Sequence, residues 1–304
     1  MSDAGVGVIV NPAAGRGTGA RRLREVREAF AAVGVRDLLV TTTPGEEAAL
    51  ARRALGSGAT TLVAVGGDGT WSNVAGAILA SGADCRLALV AAGTGNDFAK
   101  TIGAPAMDVA ATARLAREGP DVRVDVGRIE DRTFLNIAGF GIDIAVLEDI
   151  HRIHLLSGTV LYVTAALRQL AAYGGVEIEV GMDGASPGPQ RHLMLIVANA
   201  RRFGGAFHVA PGASLVDGRL DAVSIHDATP WRRLGLFRAL VEGTHLGYPE
   251  VTVRRSPSFR LRFPSPPAYE TDGEYRRAAT SELEITCMPR ALRVVTAASG
   301  GAIA

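Results

Sequence analysis

The residues Gly66-Gly67-Asp68-Gly69-Thr70-Trp71-Ser72-Asn73 place a carboxylate inside a glycine-rich turn. They follow Thr61-Leu62-Val63-Ala64-Val65, which reads as a buried strand, and they lead into Val74–Leu79, which reads as a helix. Glycines at a strand-to-helix turn let the backbone approach a ligand closely and aim N–H groups at it. A plain anion cradle has no use for the negative charge of Asp68. Polyphosphate accompanied by a metal ion or a hydroxyl does. The chemistry indicated is phosphoryl transfer rather than redox chemistry on a dinucleotide.

A second turn, Ala91-Ala92-Gly93-Thr94-Gly95-Asn96-Asp97-Phe98-Ala99-Lys100, sets another acid where a helix begins. Asp97 alone reads equally well as an N-terminal cap. Together Asp68 and Asp97 bring two carboxylates to the mouth of one sheet, which is what a Mg²⁺ site beside bound phosphates requires. A third glycine-rich turn opens the chain, Val10-Asn11-Pro12-Ala13-Ala14-Gly15-Arg16-Gly17-Thr18-Gly19. It lacks the Gly-Lys-Ser/Thr ending of a Walker A loop and is weak by itself.

These turns need a scaffold, and the chain supplies one in two textures. Up to Pro120, β-rich runs (Val6–Val10, Leu38–Thr42, Thr61–Val65, Leu87–Ala91) alternate with helical stretches (Gly19–Val33, Glu46–Gly56, Trp71–Ala80, Met107–Arg117). That alternation predicts an α/β unit with a doubly wound parallel sheet, whose ligands bind beyond the carboxyl ends of the strands. Beyond Pro120, short β-rich runs predict an antiparallel sandwich or barrel: Val122–Ile129, Val176–Met182, His192–Ala198, Arg219–Ile225, Val251–Arg255, Phe259–Phe263 and Leu283–Cys287. A helical insertion, Asp143–Tyr173, breaks at Ser157-Gly158, and a helix falls near Trp231–Glu242. Ala291–Thr296 reads as a last strand.

Composition excludes several classes. The formal charge of +1 over 304 residues lacks the basic excess of a nucleic-acid binder. Lys100 is the only lysine. Cys85 and Cys287 lie far apart without a CxxC partner, which fits a reducing cytosol and no zinc framework. Residues 1–5 lack the pattern of a signal peptide, and no apolar run is long enough to span a bilayer. The expectation is a cytoplasmic protein that approaches the inner face of a membrane peripherally. Arg201-Arg202 and Arg232-Arg233 are candidate basic contacts.

The motifs Asn11-Pro12-Ala13-Ala14-Gly15, Gly66–Thr70 and Gly93–Phe98, in this order, resemble the diacylglycerol kinase catalytic domain superfamily, which includes bacterial soluble lipid kinases and sphingosine and ceramide kinases. Leu135–Asp143, Asn199–Asp221 and Thr271–Glu274 resemble its later motifs, so the likeness spans the chain. The resemblance implies an NAD kinase/phosphofructokinase-like nucleotide domain over 1–122, joined by 290–304. It also implies an antiparallel β-sandwich over 123–289, with the active site between the two.

The same resemblance assigns roles. Asn11, Pro12, Ala13, Ala14, Gly15, Thr41, Gly66, Gly67, Asp68, Gly69, Thr70, Trp71, Ser72, Asn73 and Thr94 are the expected ATP contacts. Asp68 and Asp97 would organise catalytic Mg²⁺, with Asp125 in the same network. Asp217 with the carbonyls of Ser214 and Arg219 would hold a metal, although Asp217-Gly218 alone reads as a hairpin turn. Glu274 would be the general base, with Asp272 as its competitor. The implied acceptor is a lipid alcohol of the diacylglycerol kind; a sphingoid base or another lipid-like alcohol is the alternative, and a homodimer is left open. Ser72 and Asn73 depart from the family's usual amide and carboxylate, which raises the further alternative of a nucleotide- or lipid-binding relative without turnover. The apolar face of Val146–Tyr173 reads as core packing or, alternatively, as the wall of an acyl-chain pocket.

Overall fold

The computed structural model describes residues 5–152, 168–182 and 184–297. Its first half follows the strand–helix alternation. β1 (Val6–Val10), β2 (Leu38–Val40), β3 (Thr61–Gly66) and β4 (Arg86–Ala91) run parallel in the order β2-β1-β3-β4. Side chains alternate across the pleat, so both faces of these strands must be covered. Val8, Val10, Val63 and Val65 pack under α1 (Ala14–Ala32) and α5 (Val109–Glu118) through Val26, Phe30 and Ala113. Ile9, Leu62, Ala64 and Leu89 pack under α2 (Glu47–Gly56) and α3 (Asp68–Ser81) through Ala51, Trp71, Val74 and Ile78. Burying each such Val, Ile or Leu side chain contributes about 1.5–3 kcal/mol. The strands end together, so Asn11, Thr41, Gly67 and Gly93 emerge at one edge.

Gly15, Arg16 and Gly17 carry left-handed backbone angles inside the first turn of α1. Regular helix therefore starts at Thr18, close to the Gly19 start that periodicity predicts. β2 stops at Val40, and Thr41 leaves the strand while its N–H still donates to the Val10 carbonyl at 2.9 Å. A short helix, α4 (Asp97–Thr101), follows the Gly93–Asn96 turn.

The second half is built from antiparallel pairs. Its strands are β5 (Asp121–Ile129), β6 (Arg132–Phe134), β7 (Ile137–Gly141), β8 (Val176–Gly181), β9 (Pro189–Ala198), β10 (Leu220–His226), β11 (Val251–Ser256), β12 (Ser258–Arg262), β13 (Ala268–Thr271), β14 (Glu274–Arg277) and β15 (Glu282–Val295). One core, centred on Phe140, Leu195, Phe259, Tyr269 and Ile285, fills the inside. A second, around Ile196, Val223, Ile225 and Val251, is covered by α6 (Ile142–Arg152) and α7 (Pro230–Glu242).

Two expected strands, Leu283–Cys287 and Ala291–Thr296, are one. Pro289 and a left-handed Arg290 (φ 49°) make the sequence look interrupted, but the ladder to β5 shifts register between Met288 and Leu292 and resumes. The first part of β15 pairs with β12, and Arg293–Val294 pair in parallel with β4. β5 and β15 thus carry one hydrogen-bonded sheet through both halves. Of the predicted helical insertion, α6 and the helical residues 168–172 are seen. The Ser157-Gly158 break, His154 and the apolar positions Ile153, Leu156, Val160, Val163 and Leu167 lie outside the described residues.

His192 sits at the β9/β10 bulge, its ring 5.0 Å from that of His226, and its Nδ1 donates to the Gln190 carbonyl at 2.9 Å. Burial pushes it down to about 4 from an ordinary value of 6.5. A depressed histidine binds its proton more readily unfolded, so its contribution is intact above pH 6.5 and is lost as pH falls toward 4. Between pH 7 and pH 5 the wild type is expected to lose about 2 kcal/mol more stability than His192→Gln. Urea denaturation of both chains at the two pH values measures this.

Candidate active site

The carboxyl ends of the parallel strands face the β13–β14 hairpin across a cleft. Asn11, Ala14, Gly15, Gly67, Gly69, Thr70, Asn73 and Gly93 line it from one side, and Glu274 lines it from the other. Backbone closeness explains the glycines. A Cβ on Gly93 would stand 2.5 Å from Gly67 Cα, and one on Gly15 (φ +57°) would stand 2.1 Å from the Ala92 carbonyl oxygen. A Cβ on Gly69 would stand 2.9 Å from Glu274 Oε1. The hairpin from the sandwich therefore presses its carboxylate against the glycine turn of α3. Glu274 is also ion-paired to Arg276 through its other oxygen.

Asn11 organises the first turn. Its Nδ2 donates to Glu47 Oε1 at 2.8 Å and to Thr70 Oγ1 at 3.0 Å, and its Oδ1 accepts from the Ala13 N–H at 3.0 Å. Glu47 is buried, lines the same cleft, and keeps Oε2 without a hydrogen-bond partner. In the sequence Glu47 is an ordinary acid at a helix start; only the packing distinguishes it.

Asp68 and Asp97 meet at the Gly93–Asn96 turn. Asp68 accepts from the N–H groups of Asp97 (3.3 Å) and Phe98 (3.1 Å) and from Asn136 Nδ2 (3.1 Å). Burial raises its carboxyl above the usual range and the Asp97 charge adds to this, while those donors pull it down. Asp97, itself buried, accepts from the Gly205 N–H at 2.7 Å and faces Lys100 Nζ at 3.4 Å. A Cβ on Gly95 would stand 3.0 Å from Asp97 Oδ2 and 3.4 Å from Asp68 Oδ2. The two acids so converge on one backbone position.

Other predicted contacts sit elsewhere. Trp71 is fully buried, its Nε1 donating to the Ala64 carbonyl at 3.1 Å, so its side chain belongs to the core and not to the cleft. Ser72 turns away from the cleft to donate to Asp272. Thr41 is buried and Thr94 is exposed. Gly66 ends β3, where a Cβ would meet Thr70. Pro12 lies in the turn that Asn11 braces.

Asp125 does not join the Asp68–Asp97 network. It is buried on β5, where it accepts from the Gly218 (2.6 Å) and Arg290 (2.7 Å) N–H groups, and burial raises its carboxyl. Asp217 accepts from the Arg219 N–H at 3.0 Å and faces Arg255 at 3.9 Å. The Ser214–Arg219 turn is thereby tied to β5, β15 and Arg255, a set sharing no residue with the cleft lining. Among the described residues no three His, Cys, Asp or Glu side chains are grouped to cage a metal.

An apolar cavity lies in the sandwich half, walled by Val146, Leu170, Phe203, Phe207, Leu236 and Leu240 among others. One acid, Asp143, borders it, and its buried oxygens, like Glu270 Oε1 beside them, have no hydrogen-bond partner among the described residues. Burial raises both carboxyls above the usual carboxylate range. Arg233, at the same wall, is spent internally on Ala228, Leu170 and Asp227, and Arg232 is paired with Glu250. The expected Arg232-Arg233 surface patch is therefore not formed.

The comparisons with known proteins agree with this architecture. The diacylglycerol kinase catalytic domain matches residues 5–129, and the YegS C-terminal NAD kinase beta sandwich-like domain matches residues 136–296. A Mycobacterium tuberculosis protein named "Diacylglycerol kinase" is 28% identical over 299 residues, covering 95% of this chain and 94% of that one. A Pseudomonas fluorescens protein named "Probable lipid kinase YegS-like" is 34% identical over 266 residues, covering 84% and 83%. The crystal structure of a Bacillus anthracis diacylglycerol kinase superposes with a TM-score of 0.70 at 19% identity over 96% of each chain. An Archaeoglobus fulgidus NAD kinase in complex with ATP shares the fold more distantly, with a TM-score of 0.53 at 14% identity over 98% of this chain and 95% of that one. An α/β sheet whose glycine turns carry Asp68 and Asp97, closed by an antiparallel sandwich, and two domain models that together span residues 5–296 with a short gap, identify the chain as a member of the diacylglycerol kinase catalytic-domain family.

Proposed function

We propose that this chain transfers the γ-phosphoryl group of ATP to the hydroxyl of a lipid alcohol of the diacylglycerol kind. The observation that carries the reading is Glu274 Oε1 lying against Gly69, a sandwich carboxylate aimed at the glycine turns. Residues 1–122, with the returning end of β15, serve as the nucleotide unit. The N–H groups of the three turns receive the phosphates. The alcohol oxygen attacks the γ-phosphorus, its proton passes to Glu274 Oε1, and the bond from phosphorus to the β–γ bridging oxygen breaks to release ADP.

Asp68 and Asp97 present hard oxygen donors, which suit Mg²⁺. That ion takes one or two carboxylates and completes its shell from phosphate and water, so the absence of a three-acid cage among the described residues is compatible with it. Bound there, Mg²⁺ would supply charge neutralisation on the phosphates. The Asp217 turn lies away from the cleft and has no role in this scheme.

The acceptor's chain enters the cavity between α6, α7 and β9, a peripheral approach to a membrane supplying it. Among the described residues no helix is long and apolar enough to cross a bilayer. The buried Asp143 carboxylate, whose oxygens have no hydrogen-bond partner among the described residues, offers a hydrogen-bond site to a second hydroxyl. An acid at that wall also suits an amino alcohol, which keeps a sphingoid base as the second reading.

Mg²⁺-dependent transfer from γ-labelled ATP into diacylglycerol, sphingosine and a mixed lipid extract tests the proposal. Labelled phosphatidic acid is expected; ATP binding without any labelled lipid overturns it. Val146→Phe, which fills the cavity, is expected to raise KM for a long-chain acceptor about tenfold while KM for ATP stays within about twofold. A long-chain KM within about twofold of wild type in that variant rejects the cavity assignment.

A further inference from the structure

Asp272 is a half-buried residue whose carboxylate the scheme above does not use. It stands at the turn between β13 and β14 with a left-handed backbone (φ 49°), two residues before Glu274. Four donors converge on it. Oδ2 accepts from the Leu135 N–H at 2.7 Å and from Ser72 Oγ, and Oδ1 accepts from the N–H groups of Asn136 (2.8 Å) and Ile137 (3.0 Å). Its own N–H returns to the Ile137 carbonyl at 3.2 Å.

These bonds join three segments. Ser72 belongs to α3 in the nucleotide half. Residues 135–137 lead into β7, and the hairpin carries Glu274. Asn136, held by Asp272 through its backbone, donates from its side chain to Asp68 at 3.1 Å. One carboxylate therefore reaches Glu274 along two residues of tight turn and reaches Asp68 through one side chain.

We infer that Asp272 is a positioning residue for phosphoryl transfer: as a four-donor latch across the two halves, it sets Glu274 and Asp68 in register. The inference rests on the reaction proposed above. An ionised carboxylate suits this place because it is acceptor-only with about four lone-pair sites, which matches four donors. An asparagine cannot. With its NH₂ toward Leu135 it strands that N–H; turned the other way, it strands those of Asn136 and Ile137. Ser72 completes the set from α3 with a hydroxyl short enough to point at Asp272.

The test compares Asp272→Asn, Ser72→Ala and Ser72→Thr with the wild type, by steady-state transfer kinetics and by amide hydrogen exchange. Asp272→Asn is expected to lower kcat about a hundredfold while KM for ATP stays within about threefold, because the phosphate turns themselves are untouched. Exchange at Leu135, Asn136 and Ile137 is expected to speed up at least about tenfold. Ser72→Ala is expected to lower kcat about fivefold, and Ser72→Thr, which restores the hydroxyl, to recover it. Glu274→Gln serves as the control that loses turnover without moving exchange at 135–137.

Wild-type exchange at 135–137 in Asp272→Asn overturns the latch, and faster exchange there with an unchanged kcat overturns the positioning role. Should Asp272→Asn fail to fold, equal rates for Ser72→Ala, Ser72→Thr and wild type overturn it instead. If the wild-type chain transfers phosphate to no alcohol, the reaction proposed above fails on its own. The exchange arm needs no turnover and still decides whether Asp272 holds the two segments.

Discussion

Glu274→Gln is expected to lower kcat by about a thousandfold and to leave ATP affinity within about threefold. The substitution keeps the shape of the side chain and its reach past Gly69, so the cleft is not reshaped. It removes the role proposed for this carboxylate, acceptance of the hydroxyl proton as the bond to phosphorus forms. Arg276 supplies a secondary effect. Its guanidinium is ion-paired to Glu274, and its Nε lies buried without a partner. Facing a neutral amide, that cation becomes a net positive charge beside the γ-phosphate, which strengthens ATP binding if anything. A loss of ATP affinity larger than the loss of kcat would show that Glu274 holds the nucleotide and not the proton. Wild-type kcat in Glu274→Gln would move the base elsewhere. Equilibrium binding of ATP, measured beside single-turnover transfer, separates these outcomes.

The parts of the site legible in the sequence are those made by local chemistry. A strand, a glycine turn and a helix are neighbours along the chain, so Gly66–Asn73 and Gly93–Asp97 announce themselves by composition. The doubly wound sheet then fixes that both turns open at the same edge, because parallel strands end together. Trp71 shows where this reasoning stops. It lies within the motif, yet its helical position points it at Ala64 and the core, since successive residues of a helix face different directions. A contiguous motif is not a contiguous surface.

The remainder depended on pairing between distant segments. β13 and β14 are four residues each, too short for a periodicity to register, and they carry Glu274 into place. Asp272-Gly273 has the composition of any hairpin turn, and its four donors come from residues 72 and 135–137. Asp125 shares the residue type of Asp68 and Asp97 but sits on a strand that leaves the cleft, which a sequence cannot tell without the register of β5 on β15. β15 itself looked like two strands because Pro289 breaks the local pattern, while the long-range ladder bridges the break.

Gly93→Ala is expected to be a strongly damaging single-methyl change in the nucleotide half. The added Cβ would stand 2.5 Å from Gly67 Cα, 2.8 Å from Asn96 Oδ1 and 3.4 Å from Gly67 N. Two of these three obstacles are backbone, so no rotamer relieves them, and the β3 and β4 turns must separate by roughly an ångström. That separation pulls on the hydrogen bonds that fix the turns, from the Ala92 N–H (2.7 Å) and the Gly93 N–H (3.1 Å) to the Gly66 carbonyl. It also draws the Asp97 and Phe98 N–H groups off Asp68, which stands just after Gly67. Overpacking of this kind costs about 1–3 kcal/mol of stability. Because the displaced atoms are those proposed to receive phosphate, kcat/KM for ATP is expected to fall about a hundredfold or more. Gly56→Ala is the control. Near the end of α2, its Cβ meets nothing within 4 Å and its backbone is helical, so the change is expected to be neutral or to stabilise by up to about 1 kcal/mol. Thermal unfolding and ATP kinetics of the pair give the comparison. A Gly93→Ala chain within threefold of wild-type kcat/KM would mean that the two turns do not need their backbone contact to bind the nucleotide, and that the cleft between Gly67 and Gly93 is not where its phosphates lie.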